Sequence, residues 1–173
     1  MGFLKNFKNI SLQANGFFAK KLGSGWSWND YQASYMVERN SFPMYGNLVR
    51  FYLRDRLVKS SPAFFEKTIS PSDNQSLKGM TVNRARDSNK FLVTSGEARS
   101  VTMPFSTSES PFEEWVPSLQ AKLLADTLKI PVTAGLCNVK QAENFKKFYS
   151  QHTDSLLKPM MHRSDNFLQN KPY

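Results

Sequence analysis

The feature that most constrains this chain is a succession of short β-type runs between residues 48 and 105, each closed by turn or helix-start residues. Leu48-Val49-Arg50-Phe51-Tyr52-Leu53 is rich in β-branched and aromatic residues and runs into the charged Arg54-Asp55-Arg56. Ser60-Ser61-Pro62 predicts a helix start, with a serine N-cap, proline at the first helical position and Glu66 in the early turns. Phe64, Phe65 and Ile69 give that helix an apolar side, and Pro71 limits how far it runs. Met80-Thr81-Val82-Asn83-Arg84 predicts the next strand. Phe91-Leu92-Val93-Thr94 and Ser100-Val101-Thr102-Met103-Pro104-Phe105 predict an antiparallel pair, joined through a Ser95-Gly96-Glu97 turn. Ser110-Pro111 repeats the serine–proline start. Glu113 and Glu114 suit the positive end of that helix, and Trp115, Leu119, Leu123 and Leu124 form its apolar stripe despite Pro117.

The order strand, helix, strand, strand, strand, helix over residues 48–125 predicts an α/β domain, a mixed sheet with helices packed on it. The chain then divides into a basic arm and aromatic insertion (1–47), the sheet-and-helix domain (48–130), and a C-terminal helix and extension (131–173). Within the insertion, Gly23-Ser24-Gly25-Trp26-Ser27-Trp28 reads as a loop. Asn29 or Asp30 caps a short helix reaching Glu38, and Pro43 with Gly46 ends the region. Beyond the domain, Ile130-Pro131-Val132 reads as extended and residues 139–149 as an amphipathic helix carrying Phe145, Phe148 and Tyr149. The polar tail to Tyr173, with isolated aromatics, is expected to lie against a partner.

Charge points to the kind of partner. The 173 residues carry 23 Lys and Arg against 14 Asp and Glu, a formal charge of +9, which favours polyanions. Residues 1–29 hold Lys5, Lys8, Lys20 and Lys21 and no acid, the most one-sided stretch in the chain. Phe3, Leu4, Phe7 and Ile10 recur there at helical spacing. Three readings stay open: a solvated tail with a docking helix, a basic arm lying on nucleic-acid phosphates, and a mitochondrial targeting segment. Asn6 removes the myristoylation signal that Met1-Gly2 suggests. The sequons at Asn9 and Asn74 carry little weight, because no secretory signal is visible.

The chemistry visible in the chain is sparse. No apolar run approaches the roughly 18–20 residues a membrane-spanning helix needs. A single cysteine, Cys137, excludes an internal disulfide framework and reads as a small buried hydrophobe. His152 and His162 have no convergent carboxylates and read as ordinary surface or core residues, and Glu113-Glu114 as a helix charge pair. No glycine-rich phosphate loop or nucleophile elbow is present, so the expectation is a protein that is not an enzyme and needs no cofactor, metal or small-molecule substrate. Arg84 and Arg86, two apart on a strand, share one face; they either grip phosphates or keep an edge strand solvated.

The element order resembles the small thioredoxin-like family shared by certain mitochondrial ribosomal proteins and an accessory subunit of respiratory complex I. The residues carrying the resemblance are the run from Leu48 to Leu53, Ser60-Ser61 with Phe64-Phe65-Glu66, and the run from Met80 to Arg84. They continue through the two runs flanking Gly96 to Ser110-Pro111-Phe112-Glu113-Glu114. The resemblance implies a thioredoxin-like mixed sheet of about four strands with extended arms, and a matrix-located structural constituent of the mitochondrial ribosome's large subunit. No Cys-x-x-Cys pair follows the first strand, in keeping with a member without redox activity. On this reading Lys5, Lys8, Lys20, Lys21, Arg84 and Arg86 contact ribosomal RNA, and neighbouring ribosomal proteins are the other partners. The alternatives are a respiratory-complex accessory subunit of the same fold and, third, a viral matrix-type protein.

Overall fold

The computed structural model describes residues 6–14, 20–72, 79–94, 100–107 and 117–136, with residues 152, 154, 155 and 158. Its strands are β1 (Ile10–Ala14), β2 (Leu48–Arg54), β3 (Leu57–Ser61), β4 (Ile69–Pro71), β5 (Thr81–Arg84), β6 (Phe91–Thr94), β7 (Val101–Pro104) and β8 (Val132–Leu136). The one α-helix among the described residues beyond isolated turns is α1 (Ser118–Leu128). The protein is thus mixed α/β, with several small sheets and little helix.

The central hairpin is written into the alternation of β2 and β3. Val49, Phe51 and Leu53 point inward with Val58 and Ser60, while Arg50, Tyr52, Arg54, Leu57 and Lys59 alternate outward. Asp55 and Arg56 form the two-residue connection with φ of 53° and 63°, the left-handed pair that a tight hairpin of this length requires. The residues following the predicted strand are therefore a turn, and the helix start expected at Ser60-Ser61 is the end of a second strand. Ser60 is buried and donates its hydroxyl to the Pro62 carbonyl at 2.8 Å instead of capping a helix. The peptide bond before Pro62 is cis, and a 3-10 helix over Ala63–Thr68 replaces the expected α-helix.

The expected pairing of Phe91-Leu92-Val93-Thr94 with Ser100 to Phe105 does not form. β7 pairs antiparallel with β2, giving a sheet of order β3-β2-β7. β6 instead lies between β4, parallel, and β5, antiparallel, in a second sheet of order β4-β6-β5. A one-sheet arrangement of about four strands is therefore replaced by two three-stranded sheets that share a core. Phe51 of β2 meets Phe91 of β6 with ring centroids 4.8 Å apart, and Phe65 stacks edge-on to Phe91 at 5.7 Å and tilted on Phe105 at 4.9 Å. Each fully buried phenylalanine contributes roughly 1.5–3 kcal/mol through removal of apolar surface from water.

α1 closes this core with Leu119, Leu123, Leu124 and Leu128, the stripe read from the sequence. The predicted start of that helix, from Ser110 to Trp115, lies outside the described residues, as do Cys137, residues 139–149 and His162.

Of the N-terminal helix that the apolar spacing suggested, Phe3 and Leu4 lie outside the described residues and Ile10 is not helical. From Ile10 the chain is a strand, paired parallel with β8 in register Ile10↔Val132 through Ala14↔Leu136. Ile10 and Val132 both pack on the central core, so residues at opposite ends of the chain close against one body. The region read as an insertion is also part of that body, because Met36, Val37, Glu38, Met44 and Asn47 are buried.

Candidate functional site

Most of the buried polar residues converge on one stretch of backbone, residues 104–107, where the chain leaves β7. Asn89, lying before β6, pairs with Ser106 through both ends of its amide: Nδ2 donates to the Ser106 carbonyl at 2.9 Å, and the Ser106 amide donates to Oδ1 at 2.8 Å. The next residue, Thr107, donates its backbone N–H and its hydroxyl to the same oxygen of Glu38, each at 2.8 Å. Gln120 of α1 donates to the Thr107 carbonyl at 3.2 Å. Phe105 donates its N–H to the carbonyl of Asn47 at 3.1 Å. Every residue from 105 to 107 is thereby held by a distant part of the chain.

Asn47 is the second anchor. Tyr45, Gly46 and Asn47 all carry positive φ, a conformation in which glycine is unstrained and asparagine is tolerated. In that turn the Asn47 side chain accepts from the Met44 amide at 3.2 Å and donates to the Glu38 carbonyl at 2.9 Å. It therefore ties the 36–40 stretch to the start of β2. The Nδ2 atom of neighbouring Asn40 is the one buried side-chain polar atom among the described residues with no hydrogen-bond partner.

Arg84, at the end of β5, is 5% exposed. Its Nε donates to the Pro104 carbonyl at 2.9 Å, and a terminal nitrogen serves the carbonyls of Ala85, Arg86 and Ser88. Tyr31 donates to the Arg84 carbonyl at 2.9 Å, and the guanidinium lies 5.5 Å from the Tyr31 ring centroid. Burial pushes the guanidinium below its ordinary value, opposed first by the attraction of Glu38 and then by Tyr31 and Asp87.

These positions separate the residues read as RNA contacts. Arg84 spends its donors on backbone carbonyls inside the protein, and Arg86 lies beyond the strand in an exposed turn, so the two do not share a strand face. Lys8 and Lys20 are exposed, Lys21 is half-buried, and Lys5 lies outside the described residues. Arg39 fixes the backbone here, donating its amide to the Lys21 carbonyl at 2.7 Å and its guanidinium to the carbonyls of Lys20 and Leu22, each at 3.1 Å. Sequence reasoning missed Glu38, Asn47, Asn89, Thr107 and Gln120, which are single polar residues in unrelated segments with no shared spacing.

Chemically, the cluster is a backbone clamp: it fixes where the chain emerges toward residues 108–116. Among the described residues no group of three or more His, Cys, Asp or Glu side chains could hold a metal ion. No described helix is long and apolar enough to cross a membrane.

No family model matches the chain, and no curated protein matches it. Among solved structures, the fold is similar to that of penicillin binding protein 4 from Haemophilus influenzae, with a TM-score of 0.52 and 16% sequence identity. The likeness is one of fold alone. It extends over 92% of this chain and 38% of that one, so the chain spans well under half the length of its structural neighbour. That neighbour is an enzyme, and it lends no support to the expectation of a non-enzymatic protein.

Proposed function

We propose that this chain is a portion of a penicillin-binding-type serine acyltransferase or hydrolase, contributing part of the fold around the active centre. The observation that carries the reading is the fold likeness to penicillin binding protein 4 across 92% of the chain. A sequence feature supports it. Ser-Asp-Asn, the element that accompanies Ser-x-x-Lys and Lys-Thr-Gly in penicillin-binding proteins, occurs at two places in the chain, Ser72-Asp73-Asn74 and Ser164-Asp165-Asn166. The chain contains no Lys-Thr-Gly triplet. Its match to Ser-x-x-Lys is Ser155-Leu156-Leu157-Lys158, in which Ser155 and Lys158 are exposed, whereas an activating lysine needs a desolvated setting. On this reading the nucleophilic serine, its lysine and the Lys-Thr-Gly strand belong to the remainder of such a protein. The 104–107 clamp then serves as scaffold.

The test is acylation of the native protein. A fluorescent penicillin is added to an extract of the source cells, and the protein is captured with an antibody raised against residues 20–72. In such an enzyme the serine oxygen bonds to the β-lactam carbonyl carbon, the lactam C–N bond opens, and the serine proton passes to the nitrogen. A covalent label blocked by unlabelled penicillin supports the reading. An unlabelled protein that sediments with large ribosomal subunits, and is released by nuclease, overturns it and favours the ribosomal RNA scaffold.

A further inference from the structure

We propose that the outward face of the β2–β3 hairpin docks on an anionic phospholipid bilayer. The register places Arg50 opposite Ser61, Tyr52 opposite Lys59, and Arg54 opposite Leu57, all on the face turned away from the core. Arg56 stands in the connecting turn and is exposed. The acids nearby are Asp55, 3.9 Å from the Arg54 guanidinium, and Glu66, 3.2 Å from the Lys59 ammonium. Arg50 donates to the Ser100 hydroxyl at 3.1 Å. Four cations thus stand against two acids, and the two arginines nearest the tip have only Asp55 between them.

Leu57 decides among anionic partners. It is 61% exposed, the most exposed large hydrophobic residue among those described, and it sits at the hairpin tip directly across from Arg54. An aliphatic side chain at the tip, arginines around it and Tyr52 one pair further back follow the polarity gradient of a bilayer interface. The leucine enters the acyl boundary, the guanidinium groups meet lipid phosphates, and the phenol sits at headgroup depth. A nucleic-acid surface offers phosphates but no apolar layer for the leucine. The hairpin connection is only two residues long, which holds these side chains in fixed order. The inference rests on the hairpin alone and is independent of the penicillin-binding reading.

The experiment is sedimentation of the purified 173-residue chain with vesicles of phosphatidylcholine alone, and of phosphatidylcholine mixed with phosphatidylglycerol. The chain is expected to pellet with the anionic vesicles and stay in the supernatant with the neutral ones. Replacing two arginines near the surface, Arg54→Gln with Arg56→Gln, lowers the partition coefficient roughly thirtyfold. Leu57→Ser lowers it about tenfold, and Lys8→Gln with Lys90→Gln, a charge-matched control at two exposed sites outside the hairpin, leaves it nearly unchanged. Equal losses from the lysine pair and from the arginine pair would show a general charge effect and overturn the proposal. So would absence from anionic vesicles, or capture of a single-stranded RNA by these arginines without vesicle binding. Should the arginine variant misfold, Leu57→Cys combined with Cys137→Ser, carrying a polarity-sensitive dye on the one thiol left, reads the same contact. A blue shift with anionic vesicles is expected, and an unchanged spectrum overturns the docking.

Discussion

The carboxylate of Glu38 receives both the backbone N–H and the hydroxyl of Thr107 at 2.8 Å, across 69 residues of sequence. One acid side chain thereby fastens the segment leaving β7 to the irregular stretch before β2. Removing it leaves two buried donors without an acceptor. Glu38→Ala is expected to destabilise the protein by about 3 kcal/mol, and Glu38→Gln, which keeps one acceptor oxygen, by about 1 kcal/mol. Urea midpoints of the three proteins at constant slope measure the difference. Equal losses for both variants would mean that the hydrogen bonds to Thr107 are not what holds the segment.

Phe65 lies where the two three-stranded sheets meet, fully buried and in ring contact with Phe64, Phe91 and Phe105. Phe65→Ala removes a ring from a site walled by other rings, which can collapse only partly. The expected cost is about 4 kcal/mol, against about 1.5 kcal/mol for Phe65→Leu. Denaturant titration followed by tryptophan fluorescence reads both, and a loss below that of the leucine variant for alanine would place the residue outside the core.

Lys129 ends α1 in the left-handed conformation, with φ of 59°. A side chain there is strained, and glycine is the residue that helix ends of this kind favour. Lys129→Gly also removes an exposed ion pair with Asp126, whose contribution is small. The net expectation is a gain of about 0.5 kcal/mol, visible as a higher melting temperature. A lower melting temperature would show that the lysine contributes more than its strain costs.

Tyr35 donates to a carboxylate oxygen of Asp30 at 2.6 Å, and this hydrogen bond holds its hydroxyl above the ordinary tyrosine range. The sign of the pH dependence follows. Only the protonated phenol donates, so the contact contributes fully below the unfolded-state value and is lost as pH rises through the higher folded-state value. Spectrophotometric titration of Asp30→Asn is expected to show one tyrosine moving to lower pH, with the other tyrosines unchanged. Titration curves that superimpose would rule the contact out.

Much of the strand inventory was legible in the chain, because the alternation in Leu48-Val49-Arg50-Phe51-Tyr52-Leu53 and the apolar runs at Val82 and Phe91 are local signals. The leucine stripe of α1 was legible for the same reason. Pairing was not. Phe91-Leu92-Val93-Thr94 and Val101-Thr102-Met103-Pro104 follow each other with a glycine turn between them, which locally favours a hairpin, yet they belong to different sheets. β3 was hidden because Leu57-Val58-Lys59-Ser60-Ser61 ends in a serine–proline step that resembles a helix start. The candidate site was less legible still, since Glu38, Asn47, Asn89, Thr107 and Gln120 acquire meaning only through partners far along the chain.

The sequence by itself determined the net charge of +9, several short strand segments, the alternation of β2 and the apolar stripe of α1, all of which depend on residues within a few positions of one another. Tertiary structure alone decided that Ile10 pairs with Val132, that Phe51 meets Phe91 between two sheets, and that Arg84 turns inward to the Pro104 carbonyl. The physical reason is that a strand or helix signal is satisfied by its own neighbours, whereas buried backbone amides, carbonyls and apolar faces take whichever distant partners the packed core brings within reach.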